Sequence, residues 1–235
     1  MELLPNGFTL ELCPGAFPLS TDSMVLADFV RLRRSARVLD LGSGCGTLGL
    51  LLCASDPGCT VTGLELDENA HAQALKNIRA NALEPRLISI CADLRAMPEE
   101  IRRQSFDCCV SNPPYFTGGA PSRKTPLARQ DAACSLPELF AAADYALRYG
   151  GDFFLIHKPE KLASICMEAG RAGLEPKVLR LVRHDPGAVP SLIALQCRKG
   201  GKPGLRLEEI TLFHADGSPT EDYRRPSNPT AGHTH

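Results

Sequence analysis

The chain has 235 residues, 43% of them hydrophobic and 23% charged, with a formal net charge of −1. This composition suits one α/β domain with a sizeable core, and it gives no global electrostatic argument for a polyanion partner. No apolar run approaches the ~20 residues of a membrane span. The opening Met1-Glu2-Leu3-Leu4-Pro5 lacks the pattern of a signal peptide, so a cytoplasmic protein is expected.

In chain order, residues 20–23 read as a helix N-cap ahead of a helix over 24–34. From residue 36 to about 200, strand-like and helix-like segments alternate. Strands are predicted at 37–41, 59–64, 86–91, 106–111, 152–157, 177–183 and 192–197. Helices are predicted at 47–54, 68–81, 98–103, 136–148 and 161–172. This alternation implies a mostly parallel seven-stranded sheet with helices on both faces. The connection over 184–191 contains Asp185-Pro186-Gly187 and is too short for a crossover helix, so the last two strands read as an antiparallel edge hairpin. Residues 207–213 can add one more strand before a turn at Asp216-Gly217. One domain over 1–221 is expected, with a cap segment (1–35), a Rossmann-like core (36–200) and a C-terminal extension (201–221). A flexible tail over 222–235 and a mobile loop over 118–126 complete the expectation.

The ten cysteines include no Cys-x-x-Cys pair and no Cys/His cluster with zinc spacing. Reduced buried thiols are expected, at Cys53, Cys91, Cys108, Cys109, Cys166 and Cys197 among others, and no metal. Charge is uneven: residues 1–120 carry net −4 and residues 121–235 net +3. Residues 171–206 hold eight Lys and Arg against two acidic residues. That stretch is either a solvated basic surface or a patch facing a polyanion.

Two motifs carry chemistry. In Val38 to Gly46 an apolar strand ends in Asp40, and a Gly42-x-Gly44-x-Gly46 turn opens a helix whose first N–H groups are free. The next strand ends near Glu65, whose carboxylate can accept hydrogen bonds from two ribose hydroxyls. Gly44-x-Gly46-x-x-Gly49 also matches the dinucleotide fingerprint, but four residues from Asp40 to Ser43 put it out of register with its strand. Asp93, just past the third strand, either accepts from a ligand amine or caps the residues after it.

The second motif is Asn112-Pro113-Pro114-Tyr115, at the end of the fourth strand. The Asn112 side-chain oxygen and the Pro113 carbonyl can accept from a planar NH2 group, and Tyr115 can stack on its flat face. Proline donates no N–H, which biases the turn towards acceptors.

The glycine turn resembles the S-adenosylmethionine site of Rossmann-like methyltransferases, and Asn-Pro-Pro-Tyr resembles the amino-methyltransferase motif. Together they resemble the adenine-N6 methyltransferases. The resemblance is closer to the bacterial family that methylates the adenine 3′ of the anticodon in valine tRNA. It extends over Asp22 to Asp28, Asp40 to Gly46, Ser111 to Phe116, Ala128-Arg129 before Asp131, Lys199 to Leu205 and Asp216 to Glu221. It implies S-adenosylmethionine as cofactor and S-adenosylhomocysteine as product. It further implies cofactor contacts at Asp40, Gly42, Gly44, Gly46, Glu65, Asp93 and Asn112, with Asp22 either near the cofactor or capping its helix. Asn112, Pro113, Pro114 and Tyr115 would hold the target amine. The tRNA is expected on Arg123, Lys124, Arg129, Lys199 and Lys202, and a monomer is expected. Competing readings are a ribosomal-RNA guanine-amine methyltransferase, a release-factor glutamine methyltransferase and a silent cofactor- or RNA-binding module. The second would carry a helical N-terminal domain, and only about 36 residues precede the first strand.

Overall fold

The computed structural model describes residues 1–4, 7–13, 21–114 and 134–223. Two short strands, β1 (Glu2–Leu3) and β2 (Thr9–Leu10), pair antiparallel in a sheet of their own. After α1 (Thr21–Phe29) come β3 (Arg37–Leu41), α2 (Thr47–Ser55), β4 (Thr60–Glu65), α3 (Glu68–Ala80), β5 (Leu87–Cys91) and β6 (Phe106–Ser111). The second half holds α4 (Leu136–Ala146), β7 (Leu147–His157), α5 (Leu162–Arg171), β8 (Leu174–Arg183), β9 (Leu192–Lys199) and β10 (Arg206–Thr211).

The main sheet has eight strands in the order β10-β8-β9-β7-β6-β3-β4-β5. The α/β class and the antiparallel pairing of β8 with β9 are as expected. The sheet holds one strand more than seven, supplied by the segment read as able to add one. Residues 206–211 pair in parallel with β8, so β10 is the edge and the hairpin lies one strand inside it. The helix expected over 98–103 does not form. Ile101 is its one large apolar residue and is buried, held by a turn from its N–H to the Pro98 carbonyl at 2.9 Å. Six residues do not repay the cost of nucleating a helix without an apolar stripe to pack.

Alternating side chains feed two cores, one on each face. Val38, Cys108, Val110, Phe154 and Ile156 pack with α1, α2 and α3. Leu39, Cys109, Phe153 and Leu155 pack with α4 and α5. Six cysteines are buried, Cys45, Cys53, Cys59, Cys108, Cys109 and Cys197, which fits their use as small hydrophobes; Cys91 is exposed. Helix starts follow local chemistry. Asp67 accepts from the N–H groups of Asn69 and Ala70 to cap α3, and Ser135 with Glu138 forms a capping box on α4.

Strand order reverses beside β3: β4 and β5 lie on one side of it, β6 and β7 on the other. In open α/β sheets, ligands bind outside the carboxyl ends of the strands at such a switch point. Gly42 follows the end of β3 and Asn112 follows the end of β6, so both motifs lie there.

Candidate functional site

The glycine turn is held from β4. The N–H groups of Gly42 and Ser43 donate to the Leu64 carbonyl at 2.9 and 3.1 Å. Gly44 N–H donates to Glu65 Oε2 at 2.7 Å, and Asp67 N–H to Glu65 Oε1 at 2.8 Å. Gly42, Gly44 and Gly46 have φ of 78°, 55° and 84°, in the left-handed region that disfavours a side chain. Among the described residues, no heavy atom lies within 4 Å of where a Cβ would stand on Gly42 or Gly44. The turn therefore presents bare backbone to open space. Gly49, third glycine of the out-of-register fingerprint, serves packing instead: a Cβ there would meet Leu87 Cδ1 at 2.6 Å.

Below the turn, Asp40 is fully buried, and both of its carboxylate oxygens lack a hydrogen-bond partner among the described residues. Burial, with a smaller push from the Glu65 charge, raises its pKa to about 8. A buried acid in a strand that supplies it no partner suits a ligand-facing position.

The two motifs are joined directly. Ser111 Oγ donates to the Leu41 carbonyl at 2.8 Å, linking the last residues of β6 and β3. Asn112 is half-buried, and its Nδ2 donates to Ser23 Oγ on α1 at 3.0 Å. Pro113 is buried and Pro114 exposed. Asp22 stands beside Ser23 in the first turn of α1, which starts at Thr21; it therefore lies inside the helix rather than at its N-cap.

Asp93 sits past β5 but is engaged. Arg95 donates through Nε at 2.9 Å to each carboxylate oxygen and through Nη2 at 2.6 Å to Oδ2. This pairing holds the Asp93 carboxyl below the usual carboxylate range. Its Oδ1 also accepts the Arg95 N–H at 2.8 Å, closing a turn rather than capping a helix. A ligand amine there would share the carboxylate with Arg95.

Sequence reasoning missed the support around the turn. Asn77 on α3 donates to the Cys45 carbonyl at 2.9 Å and, with Asn81, grips the backbone of Thr9 and Glu11. Two asparagines four apart, one on α3 and one at its C-cap, are the only signal for this, and by themselves they read as solvent-facing amides. The thiols of Cys13 and Cys45 meet at 3.5 Å. Burial pushes the Cys45 thiol up to about 11, so it stays protonated at neutral pH.

The basic segment looks different in space. Six of its eight cations pair with carboxylates: Arg171 with Glu168, Arg180 and Arg206 with Glu208, Arg183 with Glu209, Arg198 with Asp152 and Lys199 with Asp144. Because β9 runs antiparallel to β7, Lys199 lies at the opposite end of the strands from Asn112, level with the start of β8. Lys202 follows at that same end. The structure thus separates Lys199 and Lys202 from the switch point. Tyr115, Arg123, Lys124 and Arg129 lie outside the described residues. A groove of about 370 Å³ lined by Pro186, Phe213 and Glu221 adjoins β10 and is also remote from Asn112.

Residues 18–169 match the family model for the methyltransferase small domain. The chain belongs to that family. It is 32% identical over 177 residues to a tRNA1(Val) (adenine(37)-N6)-methyltransferase of Bacteroides fragilis, covering 74% of each chain. It is 28% identical to the protein of that name in Aeromonas hydrophila, over 91% of this chain and 90% of the other. Among solved structures, a predicted O-methyltransferase of Agrobacterium tumefaciens superposes with a TM-score of 0.73 at 21% identity, over 91% of this chain and 99% of that one. The last likeness concerns the fold. No helix among the described residues is long and apolar enough to cross a membrane.

Proposed function

We propose that this methyltransferase uses S-adenosylmethionine to methylate the N6 amine of an adenine in tRNA, next to the anticodon of tRNA(Val). The observation that carries this reading is the Ser111–Leu41 hydrogen bond, which fixes an amine-accepting Asn112 beside a bare glycine turn. The tRNA1(Val) (adenine(37)-N6)-methyltransferases to which the chain is similar supply the substrate class.

The residues present fit the cofactor. Gly42 and Gly44 offer a cradle that a Cβ would fill, Glu65 can accept from a ribose, and buried Asp40 has no hydrogen-bond partner among the described residues. When bound, S-adenosylmethionine supplies an activated methyl on a sulfonium. That chemistry would pass the methyl to the amine nitrogen, leave the bond pair on sulfur and release the extra amine proton to water. The protein's part is proximity and orientation. An adenine amine is a poor nucleophile because its lone pair is delocalised into the ring. Asn112 Oδ1 and the Pro113 carbonyl accept its two N–H bonds and aim that lone pair at the methyl. Tyr115 stacks on the unpaired base, which a single-stranded loop can present at low unstacking cost. Asp93 is the acceptor for the cofactor's adenine amine, shared with Arg95.

The test is to incubate the protein and labelled cofactor with total unmodified RNA and identify the labelled nucleoside by mass spectrometry. N6-methyladenosine in the tRNA anticodon loop is expected. Label in guanosine, or only in protein glutamine, overturns the reading.

A further inference from the structure

We propose that Ser23 is a positioning residue for methyl transfer, holding the Asn112 side chain against α1 where it meets the target amine. The inference rests on the Asn112 role proposed above and adds a residue to that site.

A side-chain amide has a donor end and an acceptor end, and a half-turn about its last bond exchanges them. Only the oxygen end can accept from an adenine NH2. With Nδ2 forward, the two NH2 groups would face each other as donors. Local sequence does not decide the orientation, because Asn112 follows a strand end and precedes two prolines that offer no backbone donor. In the structure the Nδ2 end faces α1; the serine hydroxyl, which can donate as well as accept, fixes the place of the side chain rather than the choice of its end. Ser23 is buried, 7% exposed, and its Oγ takes the Asn112 Nδ2 hydrogen at 3.0 Å. With Nδ2 turned to α1, Oδ1 is presented on the opposite side of the amide.

This placement works only if α1 is itself fixed, and it is pinned at its far end. Asp28 on α1 pairs with Arg180 at 3.0 Å, and Arg180 also pairs with Glu208 on β10 at 2.9 Å. The Asp28 and Arg180 side chains are 7% and 6% exposed, and the guanidinium lies over the Phe29 ring at 4.7 Å. Val25, Leu26 and Phe29 seat the same helix on the core. Two β-strands and a buried ion group thus hold the Ser23 hydroxyl at the end of β6. Serine at this position exceeds what packing requires, since alanine would fill a buried helical site with better helix propensity.

The experiment compares Ser23→Ala, Ser23→Thr and Asn112→Ala in single-turnover methyl transfer, cofactor titration and thermal melting. Ser23→Ala is expected to lower the transfer rate about 10-fold, the scale of one lost orienting hydrogen bond. Cofactor Kd and Tm should stay near the parent values. Ser23→Thr, which keeps the hydroxyl, should restore most of the rate. An unchanged rate in Ser23→Ala, with Asn112→Ala inactive, overturns the Ser23 role and leaves the site standing. So does an equal loss in Ser23→Thr, or a rate loss tracked by a fall in Tm. Full activity in Asn112→Ala overturns the site reading itself.

Discussion

Glu65 Oε2 accepts the Gly44 N–H at 2.7 Å, so the carboxylate at the end of β4 shapes the very turn it faces. Its other oxygen takes the Asp67 N–H at 2.8 Å, and Asp67 in turn caps α3. One side chain therefore sets the glycine turn and the start of a helix. Each carboxylate oxygen has a second acceptor site left for a ligand hydroxyl.

Glu65→Gln is expected to disturb both jobs. A glutamine has one oxygen, so one of the two N–H groups would face an NH2. The loss in folding stability should be about 1 kcal/mol. Cofactor affinity should fall about 10-fold or more, since the ribose acceptor and the turn are altered together. Isothermal titration and urea denaturation separate the two effects. An unchanged Kd would remove Glu65 from the cofactor site.

Asp40 predicts a pH dependence. Its pKa is 3.8 in the unfolded chain and about 8 in the fold, raised first by burial and then by Glu65. Between these values the native state binds more protons than the unfolded state. Stability therefore falls as pH rises from about 4 to about 8, by at most about 1.4 kcal/mol per pH unit from this group, and levels off above. Below the unfolded value the group contributes no slope. Asp40→Asn should flatten this part of the profile, measured as urea midpoints across that range without cofactor. An identical profile in parent and variant would mean that Asp40 is not the titrating acid.

How much of this was legible follows from what kind of contact each feature uses. Apolar runs ending in Asp40, Glu65 and Ser111 mark strand ends because alternation and burial are local properties of the sequence. β3 and β6 match their predicted bounds for that reason. The Asn112–Ser23 bond spans 89 positions and the Ser111–Leu41 bond 70, and no periodicity marks a polar pair across such distances. Counting charge along the chain misses ion pairing for the same reason. Arg180, Arg183 and Lys199 sit in a basic stretch, but their acids are Asp28, Glu208, Glu209 and Asp144, all outside it in sequence. The pairing of the strand at 206–211 with β8 rests on an edge that only the fold provides.

Asn77 is the residue whose loss should reach furthest from its own position. It is 3% exposed and bonds to Glu11 N–H, the Glu11 carbonyl and the Cys45 carbonyl at 3.0, 2.9 and 2.9 Å. Asn77→Ala should cost about 2–3 kcal/mol, because the buried Cys45 carbonyl would lose its amide partner. Hydrogen exchange should quicken over residues 9–13 and through the glycine turn. Asn81→Ala, which touches only the N-terminal segment and its own helix, should quicken the former alone. Equal protection patterns in the two variants would contradict a link from the N-terminal segment to the turn.

Lys199 and Lys202 make the sharpest contrast between a charge and its use. Lys199 Nζ pairs with Asp144 Oδ1 at 2.7 Å and donates to the Leu147 carbonyl at 3.1 Å, with only 12% of its side chain exposed. Lys199→Glu would set two carboxylates together at the junction of α4 and β7. A loss of about 2–3 kcal/mol is expected, less than for a fully buried pair because Asp144 is 36% exposed. Lys202 contributes its carbonyl, not its ammonium, to the contact with Lys177. Lys202→Glu should therefore be close to neutral for stability. Both residues lie at the end of the strands away from Asn112, so neither change should weaken tRNA binding by the folded protein. The measurement is tRNA affinity against salt concentration at a temperature where both variants are folded. A salt slope reduced by about one for Lys202→Glu would put a phosphate at that end and extend the tRNA footprint around the domain.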